Sequence, residues 1–229
     1  MKTKVVMAWS GGKDSALALW RLQRDDRYQV MALLTTLTER YDRVQMHGTR
    51  RILLEAQAEA LGQRLVQVWV GHQADNAAYE AAMAAALQVL IAEGVEAVAF
   101  GDLFLQEIRA YRERMLAPTG LQPLFPLWGE DTAQLARQMV RDGFRATLVC
   151  IDPRALPAAF AGRPFDEALL ADLPAGVDPC GENGEFHTFV HDGPNFHYPL
   201  PTMLGTRVER TGFLYADLLP VARRGFARL

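Results

Sequence analysis

Six consecutive residues, Ser10-Gly11-Gly12-Lys13-Asp14-Ser15, combine two glycines with hydroxyl, ammonium and carboxylate groups, and we call them the glycine run. The apolar residues 5–9 precede the run, and residues 16–20, also apolar, follow it. A strand that ends in glycines and leads into a helix exposes backbone N–H groups to an anion, and the helix dipole favours negative charge there. The glycine run therefore predicts a phosphate-binding loop, with a nucleotide as its ligand.

The spacing of the run excludes two common nucleotide loops. A Walker A loop needs four residues between its first glycine and the Gly-Lys pair, and a dinucleotide fingerprint needs a third glycine where Asp14 or Ser15 stands. The run instead resembles the SGGxDS signature of the PP-loop ATP pyrophosphatases, which split ATP between its α and β phosphates. The alternative is a serine-glycine turn before an ordinary helix. The match over all six residues of the run argues against this alternative.

Composition narrows the class of protein. A chain of 229 residues with 50% hydrophobic content can form one large α/β domain, or a domain with a smaller companion. It has no apolar stretch of membrane-spanning length and no signal-peptide pattern, so we expect a cytoplasmic protein without a membrane partner. The net charge of −3 argues against a nucleic-acid partner. Cys150 and Cys180 form no CxxC pair, which predicts neither a zinc site nor a disulfide framework.

Short apolar runs alternate with helical patterns along the first half of the chain. The predicted strands are 5–9, 30–36, 65–70 and 95–100, and the predicted helices include 49–61 and one from 75 to 93. This order predicts a parallel sheet flanked by helices, with ligands bound at the carboxyl ends of its strands. Prolines become frequent beyond residue 117. We therefore divide the chain into an ATP-binding domain, 1–117, and a smaller C-terminal substrate-binding domain, 118–229.

The carboxyl ends of the strands supply further candidate ligand-binding residues. Thr35 and His47 follow the second strand, and Gly101 and Asp102 follow the fourth, so all four are expected at the crevice that holds the glycine run. Thr35 is equally consistent with a strand end that binds nothing. The Asp102 carboxylate suits Mg²⁺ or a substrate amine, and its alternative role is an N-cap for the next helix.

A second polar segment lies at residues 178–188, and we call it the polar loop. It contains Glu182, Glu185, His187 and Thr188 between glycines and a short alternating strand. Its residue types are compatible with a solvated hairpin turn, a metal site or a substrate loop. Three potential metal ligands within one short turn are a weak zinc pattern.

The glycine run, Gly101-Asp102, Pro126-Leu127-Trp128 and Gly181-Glu182-Asn183-Gly184-Glu185-Phe186-His187-Thr188 together resemble the diphthine ammonia ligase (diphthamide synthase) family. That family belongs to the adenine nucleotide α-hydrolase superfamily, with a HUP-like parallel sheet. The resemblance implies ATP-dependent amidation: a carboxylate is adenylated, pyrophosphate leaves, and ammonia displaces AMP. In the family the acceptor is diphthine on elongation factor two. Related chains occur in organisms without diphthamide, so the acceptor stays open, as does the oligomeric state.

The resemblance also implies roles for particular residues. Ser10, Gly11, Gly12, Lys13, Asp14 and Ser15 would hold the phosphates of ATP. Lys13 and Mg²⁺, the latter held by Asp14 and Asp102, would neutralise charge on the departing pyrophosphate. The residue types of the polar loop, rather than the resemblance, make Glu182 and Glu185 candidates to attract ammonium and His187 a candidate to remove its proton.

Three other functions share parts of this pattern. A sulfur-transferring RNA enzyme would need a cysteine pair and a basic face, and a glutamine-dependent amidotransferase would need a nucleophilic cysteine with a paired histidine. A nucleotide-binding sensor would keep the glycine run but would not need the polar loop.

Overall fold

The computed structural model describes residues 1–44, 47–71 and 75–221. Its first half forms a six-stranded sheet in which five strands run parallel, in the order β4-β2-β1-β5-β6, while the short β3 pairs antiparallel with β2. The strands are β1 (Thr3–Ala8), β2 (Tyr28–Thr38), β3 (Arg43–Val44), β4 (Leu65–Val70), β5 (Ala97–Ala99) and β6 (Gln122–Leu124). The helices are α1 (Lys13–Arg24), α2 (Arg51–Ala60), α3 (Asn76–Ala92) and α4 (Gln106–Leu116).

Both faces of this sheet are buried, which explains the continuous apolar runs of its strands. Successive residues of β1 alternate between two cores, since Val5 and Met7 join one cluster and Val6 joins the other. The predicted α/β class and the four predicted strands are confirmed. The proline-rich sequence of residues 118–126 does not predict a strand, but the structure has strand β6 there, and β6 includes Pro123. An edge strand tolerates a proline, because one side of it needs no ladder hydrogen bonds.

The rest of the chain forms an antiparallel sheet of four strands in the order β8-β7-β10-β9. Its strands are β7 (Arg145–Ile151), β8 (Phe186–Asp192), β9 (Thr202–Arg210) and β10 (Phe213–Pro220), and its helices are α5 (Thr132–Arg141) and α6 (Glu167–Asp172). Leu148 and Phe186 of this sheet share one buried cluster with Met7 and Leu17 of the first half. This packing brings the start of β8 against the glycine run. The domain boundary at residue 118 stays a prediction.

Across the part of the chain that the structure describes, none of the helices combines the length and the apolar character needed to cross a bilayer.

Candidate active site

A cavity of about 480 Å³ opens beyond the carboxyl ends of β1, β2 and β5. Both halves of the chain contribute to its wall, because the polar loop closes the side opposite the parallel strands. Nine of the predicted ligand-binding and catalytic residues line it: Ser10, Lys13, Asp14, Ser15, His47, Gly101, Asp102, Glu182 and His187. The sequence predicts that the ends of the strands open onto one crevice, and the structure adds the polar loop to the wall of that cavity.

Two glycines permit close backbone packing at the edge of this cavity. Gly11 has φ +80°, and a Cβ atom there would lie 2.7 Å from Leu54 Cδ2. A Cβ atom on Gly101 would lie 2.9 Å from the backbone C atom of Asp14 and 2.9 Å from the backbone N atom of Ser15. The end of β5 therefore rests directly on the first turn of α1, and only glycine allows that approach.

Lys13 is buried within the glycine run, with 2% of its surface exposed. Its Nζ donates to both carboxylate oxygens of Asp14, at 3.0 and 2.8 Å, and to the carbonyl of Cys180. Burial is the largest single effect and lowers the pKa of Lys13, but the charge and hydrogen bonds of Asp14, with Cys180 and Glu182, together outweigh it, so the net pKa is raised. Burial has the opposite effect on an acid: it raises the pKa of Asp14, and the Lys13 charge opposes that rise. The Lys13 charge is thus already paired before any ligand enters.

Strand β8 fixes the backbone of the glycine run. The Lys13 N–H donates to Thr188 Oγ1 at 3.0 Å, and the Val190 N–H donates to the Gly11 carbonyl at 2.9 Å. Helix α1 begins at Lys13 without a side-chain cap of its own. Thr188 therefore satisfies an N–H group at the start of α1 that would otherwise lack a partner.

Gln57 on α2 joins the same two segments, and the sequence analysis did not identify it. Its Nε2 donates to the Gly11 and Val190 carbonyls at 3.0 and 2.6 Å, and its Oε1 accepts from Trp9 Nε1 at 3.1 Å. Gln57 is fully buried. The available signal was its position on the apolar stripe of the predicted helix, where a buried amide must find hydrogen-bond partners.

Asp178 organises the polar loop from its first position. Its Oδ1 accepts from the N–H groups of Cys180 and Glu182, at 2.9 and 3.2 Å, and its Oδ2 accepts from Thr132 Oγ1 at 2.6 Å. These bonds fold the loop back on itself and anchor it to the start of α5. The loop is therefore a built structure, which argues against a merely solvated hairpin turn.

Glu182 extends from the polar loop into the cavity and contacts the opposite wall. Its Oε1 accepts from the Leu103 N–H at 2.7 Å and from the Phe104 N–H at 3.4 Å, just beyond the end of β5. Burial raises the pKa of Glu182 to about 7, with the Asp14 and Asp102 charges adding to the rise and the two N–H groups opposing it. A carboxyl group with this pKa exchanges protons near neutral pH, as a general base must.

Four of the predicted site residues do not line the cavity: Gly11, Gly12, Thr35 and Glu185. Glu185 Oε1 accepts from the Asp178 N–H and from Asn183 Nδ2, both at 3.0 Å, so this carboxylate braces the polar loop from within. Thr35 is buried, while its neighbour Thr36 lines the cavity. Among the described residues, Thr35 Oγ1 and Glu185 Oε2 have no hydrogen-bond partner. The roles predicted for these two residues stay predictions.

His47 and His187 pack against each other beside Lys13. Their ring centroids are 4.5 Å apart with an angle of 31° between the planes, and His47 Nδ1 lies 3.3 Å from the Thr188 carbonyl oxygen. Burial, and then the Lys13 charge, lowers the pKa of His187 to about 4. Burial and the neighbouring His187 lower the pKa of His47 as well. Both rings are therefore neutral at pH 7, and His187 is a weak base compared with Glu182.

Asp102 and Arg112 face each other across the wall formed by β5 and α4. The distance from Asp102 Oδ2 to Arg112 Nε is 3.5 Å, and both buried atoms lack a hydrogen bond within the described residues. Burial raises the pKa of Asp102, and the Arg112 charge opposes that rise. Over the same residues, no cluster of three His, Cys, Asp or Glu side chains is arranged to hold a metal ion.

The carboxylates of Asp14 and Asp102 can nevertheless bind a metal ion that enters the cavity together with a nucleotide. Mg²⁺ in nucleotide sites is bound by one or two carboxylates together with substrate phosphates, so it needs no complete protein cage. Within residues 1–44, 47–71 and 75–221, the buried Asp102 Oδ2 accepts no hydrogen bond and has only the 3.5 Å contact with Arg112, so it is an available oxygen ligand, and Asp14 lines the same cavity. Asp14 and Asp102 are thus suitable for the predicted Mg²⁺ role.

The raised pKa of Glu182 predicts a pH-dependent stability difference. Below pH 4.5 the carboxyl is protonated in both folded and unfolded protein, whereas above about pH 7 it is ionised in both and the folded state bears the burial cost. Relative to Glu182→Gln, the parent protein should lose about 1–2 kcal/mol of unfolding free energy between about pH 5 and about pH 8, after allowance for solvent screening. Urea denaturation of both proteins measures this difference, and parallel pH curves would contradict the assigned burial.

The parallel sheet, the glycine run at the end of β1 and the antiparallel sheet that closes the cavity define an α/β protein with a HUP-like fold. Sequence profiles of two domains match almost the whole chain: the diphthamide synthase N-terminal domain over residues 1–123, and the diphthamide synthase C-terminal domain over residues 131–214. The chain therefore belongs to the diphthamide synthase family.

Similar curated proteins carry the name diphthine–ammonia ligase. The Bos taurus protein is 32% identical over 109 residues, which cover 45% of this chain and 41% of the relative. The Danio rerio protein is 35% identical over 107 residues, covering 44% and 42% respectively. The Mus musculus protein is 29% identical over 142 residues, covering 60% and 52%. The matched regions thus span about two fifths to one half of these relatives' lengths.

Proposed function

We propose that this protein is an ATP-dependent amide ligase that forms AMP and pyrophosphate and takes its nitrogen from ammonia. The observation that carries the proposal is that Lys13 and Asp14 of the glycine run line the same cavity as Glu182 of the polar loop. Such a ligase makes an activated carboxylate that water would hydrolyse, so activation and amidation need a common enclosed site. The name of the curated relatives, diphthine–ammonia ligase, supports the same reaction type.

In this reaction, a carboxylate oxygen of the acceptor attacks the α-phosphorus of ATP, and the bond from that phosphorus to the bridging oxygen breaks. Pyrophosphate leaves with the bond electrons. Ammonia then attacks the acyl carbon, the bond from carbon to the AMP oxygen breaks, and the nitrogen loses a proton to give the amide. The activation is needed because a carboxylate resists nucleophiles, whereas an acyl adenylate carries a good leaving group.

The residues of the cavity divide between these two steps. The glycine run and the start of α1 bind the phosphates, and Lys13 contributes positive charge beside them. Asp14 and Asp102 would hold Mg²⁺, which would supply the remaining neutralisation of phosphate charge. Glu182 attracts ammonium to the cavity and accepts the proton of the attacking nitrogen. His187 shapes the adjoining wall as a neutral ring, and Glu185 keeps the polar loop in place.

The acceptor is a carboxylate, either on diphthine of elongation factor two or on another molecule. Sulfur transfer is the weaker alternative, because both cysteines are buried. Burial raises the pKa of Cys150 to about 12 and also raises that of Cys180, so neither thiol readily forms a nucleophilic thiolate.

The test follows AMP, ADP and pyrophosphate separately, with ATP, Mg²⁺ and ammonium present. One arm uses elongation factor two that carries diphthine, a second uses a small-molecule cell extract, and a third has no acceptor. We expect AMP and pyrophosphate in equal amounts, dependent on an acceptor and on ammonium for turnover. ATP binding without AMP in any arm would instead identify a nucleotide-binding sensor, and ADP formation would contradict the proposed cleavage.

A further inference from the structure

Arg112 lies in the wall of the cavity and has no role in the reaction described so far. It projects from α4 towards Asp102, and its guanidinium carbon is 5.0 Å from the centroid of the Phe100 ring. The Asp102 contact, at 3.5 Å, is too long for a good hydrogen bond, and the two facing atoms are buried without other partners in the described chain. The two side chains are partly buried, and a cation and an anion with so long a contact are available to exchange it for better partners.

The charges around the cavity show why such an exchange is needed. Of the described residues that line it, Lys13 and Arg112 carry a full positive charge, whereas Asp14, Asp102 and Glu182 are carboxyl groups. The Lys13 ammonium is already bonded to Asp14 and to the Cys180 carbonyl. The triphosphate of ATP would thus meet a cavity without excess positive charge, and Arg112 is the cation with the weaker existing contact.

We infer that Arg112 binds the phosphate chain of the nucleotide once Asp102 is taken by a cation. This inference rests on the proposed ATP site. Asp102 directly follows Gly101, where an added Cβ would lie 2.9 Å from the Asp14 and Ser15 backbone, so Asp102 and Arg112 adjoin the glycine run, the proposed phosphate site. A guanidinium presents a planar fork of N–H donors that matches phosphate oxygens, and stacking on Phe100 holds its orientation.

The experiment measures the affinity of four proteins for ATP, AMP and pyrophosphate by isothermal titration calorimetry, with Mg²⁺ and without acceptor or ammonium. The four proteins are the parent, Arg112→Gln, Arg112→Lys and the control Arg109→Gln. Arg109 lies on the same helix, but its guanidinium stacks between the Phe125 and Trp128 rings, 4.8 Å from each, outside the cavity wall. Thermal unfolding of each protein checks that α4 is intact.

We expect Arg112→Gln to weaken ATP binding by about 10- to 100-fold, Arg112→Lys to recover part of the loss, and Arg109→Gln to leave affinity unchanged. A loss shared by pyrophosphate but not AMP assigns Arg112 to the β and γ phosphates, and a loss shared by AMP assigns it to the α phosphate. Equal ATP affinity in the parent and Arg112→Gln, or equal weakening by Arg109→Gln, overturns the inference. A parent protein that binds no ATP would contradict the proposed function itself.

The proposed exchange has its own test in the presence of EDTA. Without a metal ion, Asp102→Asn should bind ATP more tightly than the parent, because Arg112 is then released and one carboxylate charge is removed. Adding Arg112→Gln to that variant should weaken binding more than Arg112→Gln weakens it in the parent background. Equal effects of Arg112→Gln in the two backgrounds would show that Asp102 does not compete with phosphate for the guanidinium.

Discussion

Replacement of Gly101 by alanine should lower both the ATP affinity and the rate of AMP formation by about 100-fold or more. The added Cβ would lie 2.9 Å from the Asp14 carbonyl carbon and 2.9 Å from the Ser15 nitrogen. Both atoms belong to the backbone of the first turn of α1, so no flexible side chain can move aside. The first turn of α1 itself must shift, and displacement of positioning groups by about 1 Å costs about two orders of magnitude in rate.

Gly71→Ala is the matched control for this substitution. Gly71 also follows a strand of the parallel sheet, has no positive φ, and a Cβ there would meet no described atom within 4 Å. It should leave ATP affinity within about twofold of the parent. Calorimetric ATP titration and circular dichroism on both variants separate a displaced loop from an unfolded protein. Normal ATP affinity in a folded Gly101→Ala variant would show that the contact between β5 and α1 does not shape the nucleotide site.

The elements that position Gly101 were largely predictable from the sequence. Strand β5 (Ala97–Ala99), which is separated from Gly101 by one residue, lies in a continuous apolar run because the sheet is buried on both faces there. The start of α3 carries a local signal, since Asp75 accepts from the Ala78 N–H at 2.8 Å as an N-cap. The predictions of strands and helix starts are confirmed where the residues that specify the element lie next to one another in the sequence. The sequence does not predict strand β6, because β6 forms by pairing with β5, which lies 25 residues earlier in the chain (Ala97 pairs with Gln122).

In the candidate site too, residues recognisable from a local motif were predictable, whereas residues that depend on partners far away in the chain were not. The glycine run can be recognised from residue type and spacing alone. The role of Gln57 cannot, because its partners Gly11 and Val190 are 46 and 133 residues away along the chain. The family profiles confirm the family that the motifs of the two halves together predict, but they do not show which side chains reach the cavity.

The polar loop illustrates this limit most clearly, because residue type does not distinguish Glu182 from Glu185. Glu182 reaches the Leu103 N–H, 79 residues earlier in the chain, and so lies across the cavity. Glu185 instead bonds to Asp178 and Asn183 within the loop. The sequence predicts an ammonium-attracting role for both carboxylates, and the structure gives only Glu182 a place in the cavity wall.

Glu182→Gln should therefore reduce amide formation by about 100-fold or more while acceptor-dependent exchange of pyrophosphate into ATP continues. The glutamine carbonyl oxygen can still accept from the Leu103 N–H, so the loop keeps its anchor, but the side chain no longer binds ammonium as an anion or accepts its proton. The two assays separate the steps, because exchange reports formation of the acyl adenylate and amide yield reports its capture by ammonia.

Glu185→Gln is the matched comparison, three positions later in the same loop. Its amide oxygen can replace the carboxylate oxygen that accepts from Asp178 and Asn183, so we expect amide formation within about threefold of the parent. In the parent, the rate at saturating total ammonium should also rise as Glu182 ionises around pH 7, and Glu182→Gln should lose that inflection. An equal loss of amidation in both variants would instead mean that the reaction needs both charges. Glu185 would then act on ammonium from behind the cavity wall, through electrostatic attraction rather than contact.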